Sequence, residues 1–322
     1  MGLKFQKMLR MTQEQLLNFA YNSLLSRNYN KGEILKTEDY IYAEGDIPVL
    51  LVAHCDIVHK NPPETIVYDP RQRIMWSPSG IGGDDRCGVY AILKICEEMK
   101  PCVLFTTEEE KDGIGVRKFT EDILKLPIKF IIEIDRRGNN QVVFYDCGNE
   151  EFQKYILGFG FDLNYGSYSD VSTLSTKYDI AGCNLSAGYY NEHRETEHIY
   201  IDHLENTIAK VKEILKDEKN HKFWDCQEKV YTRKYTGYYH YYDDMYDDYY
   251  YYKTEKKEKK AVKEIEEPKE TETEDDFDYS QVYKEILEME EDFYSLTRGE
   301  WYDKYHYKKP KDVTEIYFIN DK

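Results

Sequence analysis

No stretch of this 322-residue chain approaches the ~18 consecutive apolar residues of a membrane-spanning helix. The N-terminal run MGLKFQKMLRMTQEQLL also lacks the continuous apolar core and small-residue cleavage site of a secretory leader, so no leader is expected. Positive charge is scarce. Lys and Arg number 44 against 62 Asp and Glu, a formal net charge of -18. That excludes a general binder of nucleic acid or of anionic membrane, since both are recognised through basic patches. The seven cysteines, at 55, 87, 96, 102, 147, 183 and 226, form no C-x-x-C pair. Cysteine-ligated zinc is therefore not expected, and free thiols in apolar surroundings fit a reducing, cytoplasmic compartment.

What is present divides near residue 220. Before it, apolar runs of strand length at 48–53, 102–105, 130–134 and 142–145 alternate with helical patterns at 88–99, 119–126, 150–157 and 204–215. A first helix opens after Thr12, with Gln15 at the capping-box position. The alternation predicts an α/β fold class, a three-layer α/β/α domain with a mostly parallel, mixed central sheet over residues 1–220. Residues 221–322 read as a low-complexity C-terminal extension that contains the tyrosine-rich YTRKYTGYYHYYDDMYDDYYYYK at 231–253 and continues through charge blocks. This composition predicts a largely disordered segment with one helix near 280–294 and a short strand near 315–319.

Strand after strand of the first domain ends in carboxylates or imidazoles. VLLVAHCDIV ends in His54 and Asp56, and SPSGIGGDDRCGV places Asp84 and Asp85 before a helix. VLFTTEEE ends in Glu108, Glu109 and Glu110, FIIEID in Asp135, and SAGYYNEHRETEH carries His193, Glu197 and His198. Each has an ordinary alternative: a helix cap for the aspartates, a solvated helix start for the glutamates, a surface site for the histidine. Five such features in order at strand ends argue for convergence, because ligands of open α/β sheets bind outside the carboxyl ends of the strands. Gathered carboxylates repel and raise one another's pKa, a penalty that divalent cations remove. Two histidines with several carboxylates suit zinc, with manganese or cobalt as alternatives.

The segments AHCDIV, GGDDRCGV, FTTEEE, IEID and GYYNEHRETEH resemble the ligand-bearing segments of the co-catalytic di-zinc exopeptidase superfamily, over roughly residues 10–215. That group includes peptidase T, glutamate carboxypeptidase, aminoacylases, and leucyl- and glutamyl-aminopeptidases. The resemblance implies two Zn2+ ions, with His54 and Asp135 on the first, Glu110 and His193 on the second, and Asp84 bridging them. It implies Asp56 as the carboxylate that orients His54, a cis peptide before Asp85, and Glu109 as general base. Sliding the motif back one residue makes Glu108 the base and Glu109 the ligand; Phe105 and Thr106 favour the first frame. His198 competes with His193, while His59 and His203 read as surface histidines.

The interval from Asp135 to His193 is too short for an inserted lid domain, which points to the lidless aminopeptidases. Asp170, in SYSDVSTL, is placed near the site or at a substrate amine, with an ordinary turn as the alternative. Arg136 and Arg137 suit a substrate carboxylate or an acidic rim. The implied activity is hydrolysis of short peptides by an aminopeptidase. N-acyl amino acid deacylase, carboxypeptidase and a catalytically retired scaffold acting through its tail are alternatives. The expected partner is a short peptide or acyl-amino-acid substrate, with no nucleic acid or membrane, and oligomers remain open.

Overall fold

The computed structural model describes residues 3–27, 29–145, 147–227 and 317–319. The tyrosine-rich run at 231–253 and the expected helix at 280–294 lie outside the described residues.

Two strands set the centre of the molecule. The run IPVLLVAH forms β3 (Ile47–His54) and PCVLFT forms β6 (Pro101–Thr106), paired in parallel with His54 opposite Thr106. On the other side of β3 lies β7 (Phe130–Arg136), also parallel, and beyond it β10 (Gly182–Ser186). Antiparallel strands close both flanks: β1 (Ile34–Lys36) and β2 (Tyr40–Ala43) beside β6, and β8 (Gln141–Val143) beside β10. With β9 (Asp162–Leu163), paired in parallel to β8, the sheet has eight strands in the order β1-β2-β6-β3-β7-β10-β8-β9.

The near-continuous apolar character of β3 follows from its burial on both faces. Val49, Leu51 and Ala53 join a core with helices α1 (Leu3–Leu9), α2 (Gln13–Leu25), α3 (Gly83–Ile95), α5 (Glu150–Leu157) and α7 (Ile201–Lys216). Leu50 and Val52 join the opposite core with α4 (Ile114–Asp122) and α6 (Asp170–Tyr178). The three-layer α/β/α plan with a mixed sheet is therefore as expected. Thr12 caps α2 with a full capping box, accepting from Gln15 N at 3.3 Å and donating its own N–H to Gln15 Oε1 at 3.0 Å.

Three features depart from the sequence-based expectation. First, α3 and α4 start five residues earlier than their hydrophobic patterns, each directly after a left-handed glycine, Gly82 and Gly113. Glycine adopts that conformation without steric cost, so it sets where the chain turns into the helix. Second, a five-stranded antiparallel sheet stands beside the main one. It comprises β4 (Ile66–Asp69), β5 (Ile74–Trp76), β11 (Tyr189–Tyr190), β12 (His198–Tyr200) and β13 (Tyr317–Ile319), in the order β11-β12-β5-β4-β13. Third, packing continues past residue 220. Trp224 is buried among Phe130, Phe152 and Tyr155, with ring centroids 5.1–5.5 Å apart, and its carbonyl accepts from Ala181 N at 2.8 Å. All seven cysteines are free and buried, and no described helix is long and apolar enough to cross a membrane.

Candidate metal centre

Because β6, β3 and β7 run parallel, their carboxyl ends lie side by side and deliver their next residues to one edge of the sheet. His54 is the last residue of β3, Asp135 lies near the end of β7, and Glu109 and Glu110 follow β6. Asp84 arrives from the start of α3, where its backbone is not yet helical (φ -78°, ψ 108°), and the Asp84–Asp85 peptide is cis. His193 comes from the loop between β11 and β12, in a left-handed conformation with φ 64°.

These groups meet. His54 Nδ1 donates to Asp56 Oδ1 at 3.1 Å, which turns Nε2 to within 3.1 Å of Asp84 Oδ1 and 3.6 Å of Asp135 Oδ1. The second oxygen of Asp84 faces the other imidazole, with His193 Nε2 at 3.2 Å, and that same nitrogen is 3.0 Å from Glu110 Oε1. Three sets of ligand atoms result, His54–Asp84–Asp135, Asp84–Glu110–His193 and His54–Glu109–Glu110, each within a 4.8 Å span. Glu109 belongs to the third set alone, its Oε2 4.0 Å from His54 Nε2. Asp56 also accepts from the backbone N–H groups of Glu109 and Glu110, both at 3.1 Å, so it fixes the turn after β6 as well as the imidazole.

Glu108 faces elsewhere. It accepts from Gln13 Nε2 at 3.0 Å and pairs with Lys111. His198 stacks on Tyr190 at 5.5 Å and donates to the Thr196 carbonyl, outside every cluster of ligand atoms among the described residues. His59 is not a surface histidine as expected; its ring packs beneath Gly80 and lies 3.1 Å from Glu197. Asp85 turns into the first turn of α3 and accepts from Gly88 N at 2.9 Å. Asp170 is fully buried and accepts from Thr106 Oγ1 at 2.6 Å, one strand pair from His54. Arg136 is half-buried and stays outside the clusters, and Arg137 pairs with Glu192 at 2.9 Å.

Sequence reading missed the supports of Asp135. Tyr189 Oη donates to its Oδ1 at 2.9 Å, and Ser169 Oγ sits 3.1 Å from its Oδ2 and 2.6 Å from Glu133 Oε2. Asn184 takes both backbone groups of Asp135, accepting its N–H and donating to its carbonyl at 2.8 Å. Glu133 carried a signal of its own: a charged residue inside the apolar run FIIEID is buried only if it is partnered.

The electrostatics test whether a cation fits. Burial, then repulsion from Asp135, raises Asp85 well above the usual carboxylate range. Burial also raises Glu109, with Asp135 and Asp170 adding to it. Asp135 is pushed up to about 7 by burial and by Asp84. Hydrogen bonding to Asp84 and Glu110 pushes His193 up to about 11. Burial opposes charge on Asp84, yet the two imidazoles hold it below the ordinary range. Negative charge thus exceeds what the two imidazoles balance. Two imidazole nitrogens with several carboxylate oxygens are donors that suit a divalent cation, zinc above all.

The backbone path is similar to solved peptidases. A tripeptidase from Staphylococcus aureus superposes with a TM-score of 0.55 at 14% identity, over 66% of this chain and 96% of that one. The aminopeptidase PepT from Bacillus cereus gives 0.56 at 10%, over 67% and 97%. An aminopeptidase from the archaeon Desulfurococcus kamchatkensis gives 0.50 at 12%, over 66% and 93%. The chain shares the fold of these peptidases. No family model and no curated protein sequence matches it. Within that fold, the clusters described above lie at the carboxyl edge of the central sheet.

Proposed function

We propose that this chain is a metal-dependent exopeptidase, an aminopeptidase that hydrolyses short peptides. His54, Asp84 and Asp135 hold one Zn2+, Asp84, Glu110 and His193 hold a second, and Glu109 is the general base. The observation that carries this reading is Asp84, whose two carboxylate oxygens face two different imidazoles at 3.1 and 3.2 Å. When bound, the ions would polarise the scissile carbonyl and acidify a water.

The remaining work falls to side chains of this chain. Asp56 holds the His54 ring with Nε2 toward the site. Tyr189 and Ser169 fix the two oxygens of Asp135. Glu109 lies half-buried beside the ligands, and its raised proton affinity suits a carboxylate that takes a proton and passes it to the leaving amine. Glu108, turned toward Gln13 and Lys111, is placed for neither task. The choice of aminopeptidase over deacylase or carboxypeptidase draws on the tripeptidase and aminopeptidases of like fold.

A hydrolysis panel tests it. Dipeptides and tripeptides with a free amine should be cleaved from the N-terminus, N-acetylated versions should not, and chelation should abolish activity that zinc restores. Cleavage of blocked peptides would instead assign a deacylase or carboxypeptidase. Bound metal without hydrolysis of any substrate would assign a binding protein.

A further inference from the structure

Glu197 is buried, 1% exposed, and lies outside all three clusters of ligand atoms. Its Oε1 accepts from Asp84 N at 2.9 Å, its Oε2 accepts from Gly82 N at 2.8 Å, and the same Oε2 is 3.1 Å from His59 Nε2. Three segments end on this one carboxylate. One follows β3 and carries His54, Asp56 and then His59; one opens α3 and carries Asp84; one joins β11 to β12 and carries His193 four residues before Glu197. We propose that Glu197 is the positioning residue that sets the two metal half-sites in register, with His59 as its third donor.

The local backbone explains why such a residue is needed. Asp84 lies where α3 has not yet become helical, and His193 sits in a left-handed loop with its side chain 52% exposed. Glu197 supplies their common anchor. The fit around it is close: a Cβ on Gly83 would come within 3.2 Å of Glu197 Oε1 and 2.9 Å of Ile199, and one on Gly80 within 2.2 Å of the His59 ring. A carboxylate can accept from all three donors, whereas an amide offers one accepting oxygen and would set its own N–H groups against a backbone N–H. Glutamine at 197 therefore keeps the volume and loses the grip.

This inference rests on the reading that the site binds zinc, and its test separates the two. Zinc would be titrated into the metal-free, full-length parent, Glu197→Gln and His59→Gln against a chromophoric chelator, with melting followed before and after loading. For Glu197→Gln the expected result is a loss of roughly 10- to 100-fold in affinity for the weaker-bound ion, the scale seen when groups behind a metal's ligands are removed. The rise in melting temperature on adding zinc should shrink, and saturating zinc should restore hydrolysis. His59→Gln should lose less, because both backbone donors stay paired. Parental affinity in Glu197→Gln overturns the inference. If that variant does not fold, unchanged affinity in His59→Gln overturns it. A parent that binds no zinc overturns the functional reading and this inference together.

Discussion

Glu109→Gln tests which of three adjacent glutamates is the base. Glu109 is half-buried and faces His54 Nε2 at 4.0 Å, whereas Glu108 points to Gln13 and Lys111. The amide preserves volume and removes only the ability to carry a proton. Positioned proton transfer contributes about 10²- to 10⁴-fold to rate, so kcat should fall by that factor, equivalent to about 2.7–5.4 kcal/mol at 1.36 kcal/mol per decade. Metal content should not change, since Glu109 is assigned to neither ion. Stability should move the other way in the metal-free protein. The pKa of Glu109 is raised in the fold by burial and by Asp135 and Asp170. A raised carboxyl pKa makes the charged form costly to fold above the ordinary glutamate range, and the cost vanishes below it. Near neutral pH the variant should therefore melt no lower than the parent. The assay is kcat and KM on a free-amine dipeptide, with metal per chain measured on the same samples. Glu108→Gln should keep kcat and lose at most a surface pair worth about 0–1 kcal/mol. An active Glu109→Gln beside an inactive Glu108→Gln would show the assignment to be wrong by one residue; full activity in both would refute the glutamate-base mechanism.

Three further outcomes follow from the packing and the charge of the site. Zinc at about one hundred times its dissociation constant should stabilise the protein by about 2.7 kcal/mol, read as a rise of about 5–10 °C in melting temperature that chelation reverses. Trp224→Ala should cost about 3–5 kcal/mol, because the indole fills the space between Phe130, Phe152 and Tyr155; for the same reason a chain ending at residue 220 should melt well below one ending at 227. Gly88→Ala should destabilise by about 1–3 kcal/mol, the reverse of the usual gain for alanine in a helix, since its Cβ would meet the Ile134 carbonyl at 2.1 Å.

The main sheet was legible because strands buried on both faces read as unbroken apolar runs, as β3 and β6 do. The residues of the site were legible because parallel strands must release their next residues at one edge, so the ordered endings at His54, Glu109, Glu110 and Asp135 carry spatial information. Apart from β13, which answers to the strand expected near 315–319, the second sheet left no such mark. Its strands are two to four residues long, too short to show alternation, and its pairing of β12 with β5 joins residues more than a hundred positions apart. Helix α6, DVSTLSTKY, was hidden by Ser and Thr, whose side chains compete for backbone hydrogen bonds and weaken the helical signal. The break in composition at 220 marked where low complexity begins, not where packing ends, because Trp224 and Cys226 are buried beyond it. His59 read as a surface residue because its partner, Glu197, lies 138 positions away.

The central claim is that Asp84 is shared by two ions, and metal counting on Asp84→Asn tests it most directly. Both proteins would be loaded with zinc, stripped of loosely bound metal by dialysis, and analysed by plasma emission. The parent should hold about two ions per chain, as two-metal hydrolytic sites do. Asp84→Asn, with one accepting oxygen in place of two, should hold no more than about one. A parent without zinc, or an Asp84→Asn variant that still holds two ions, would contradict the account.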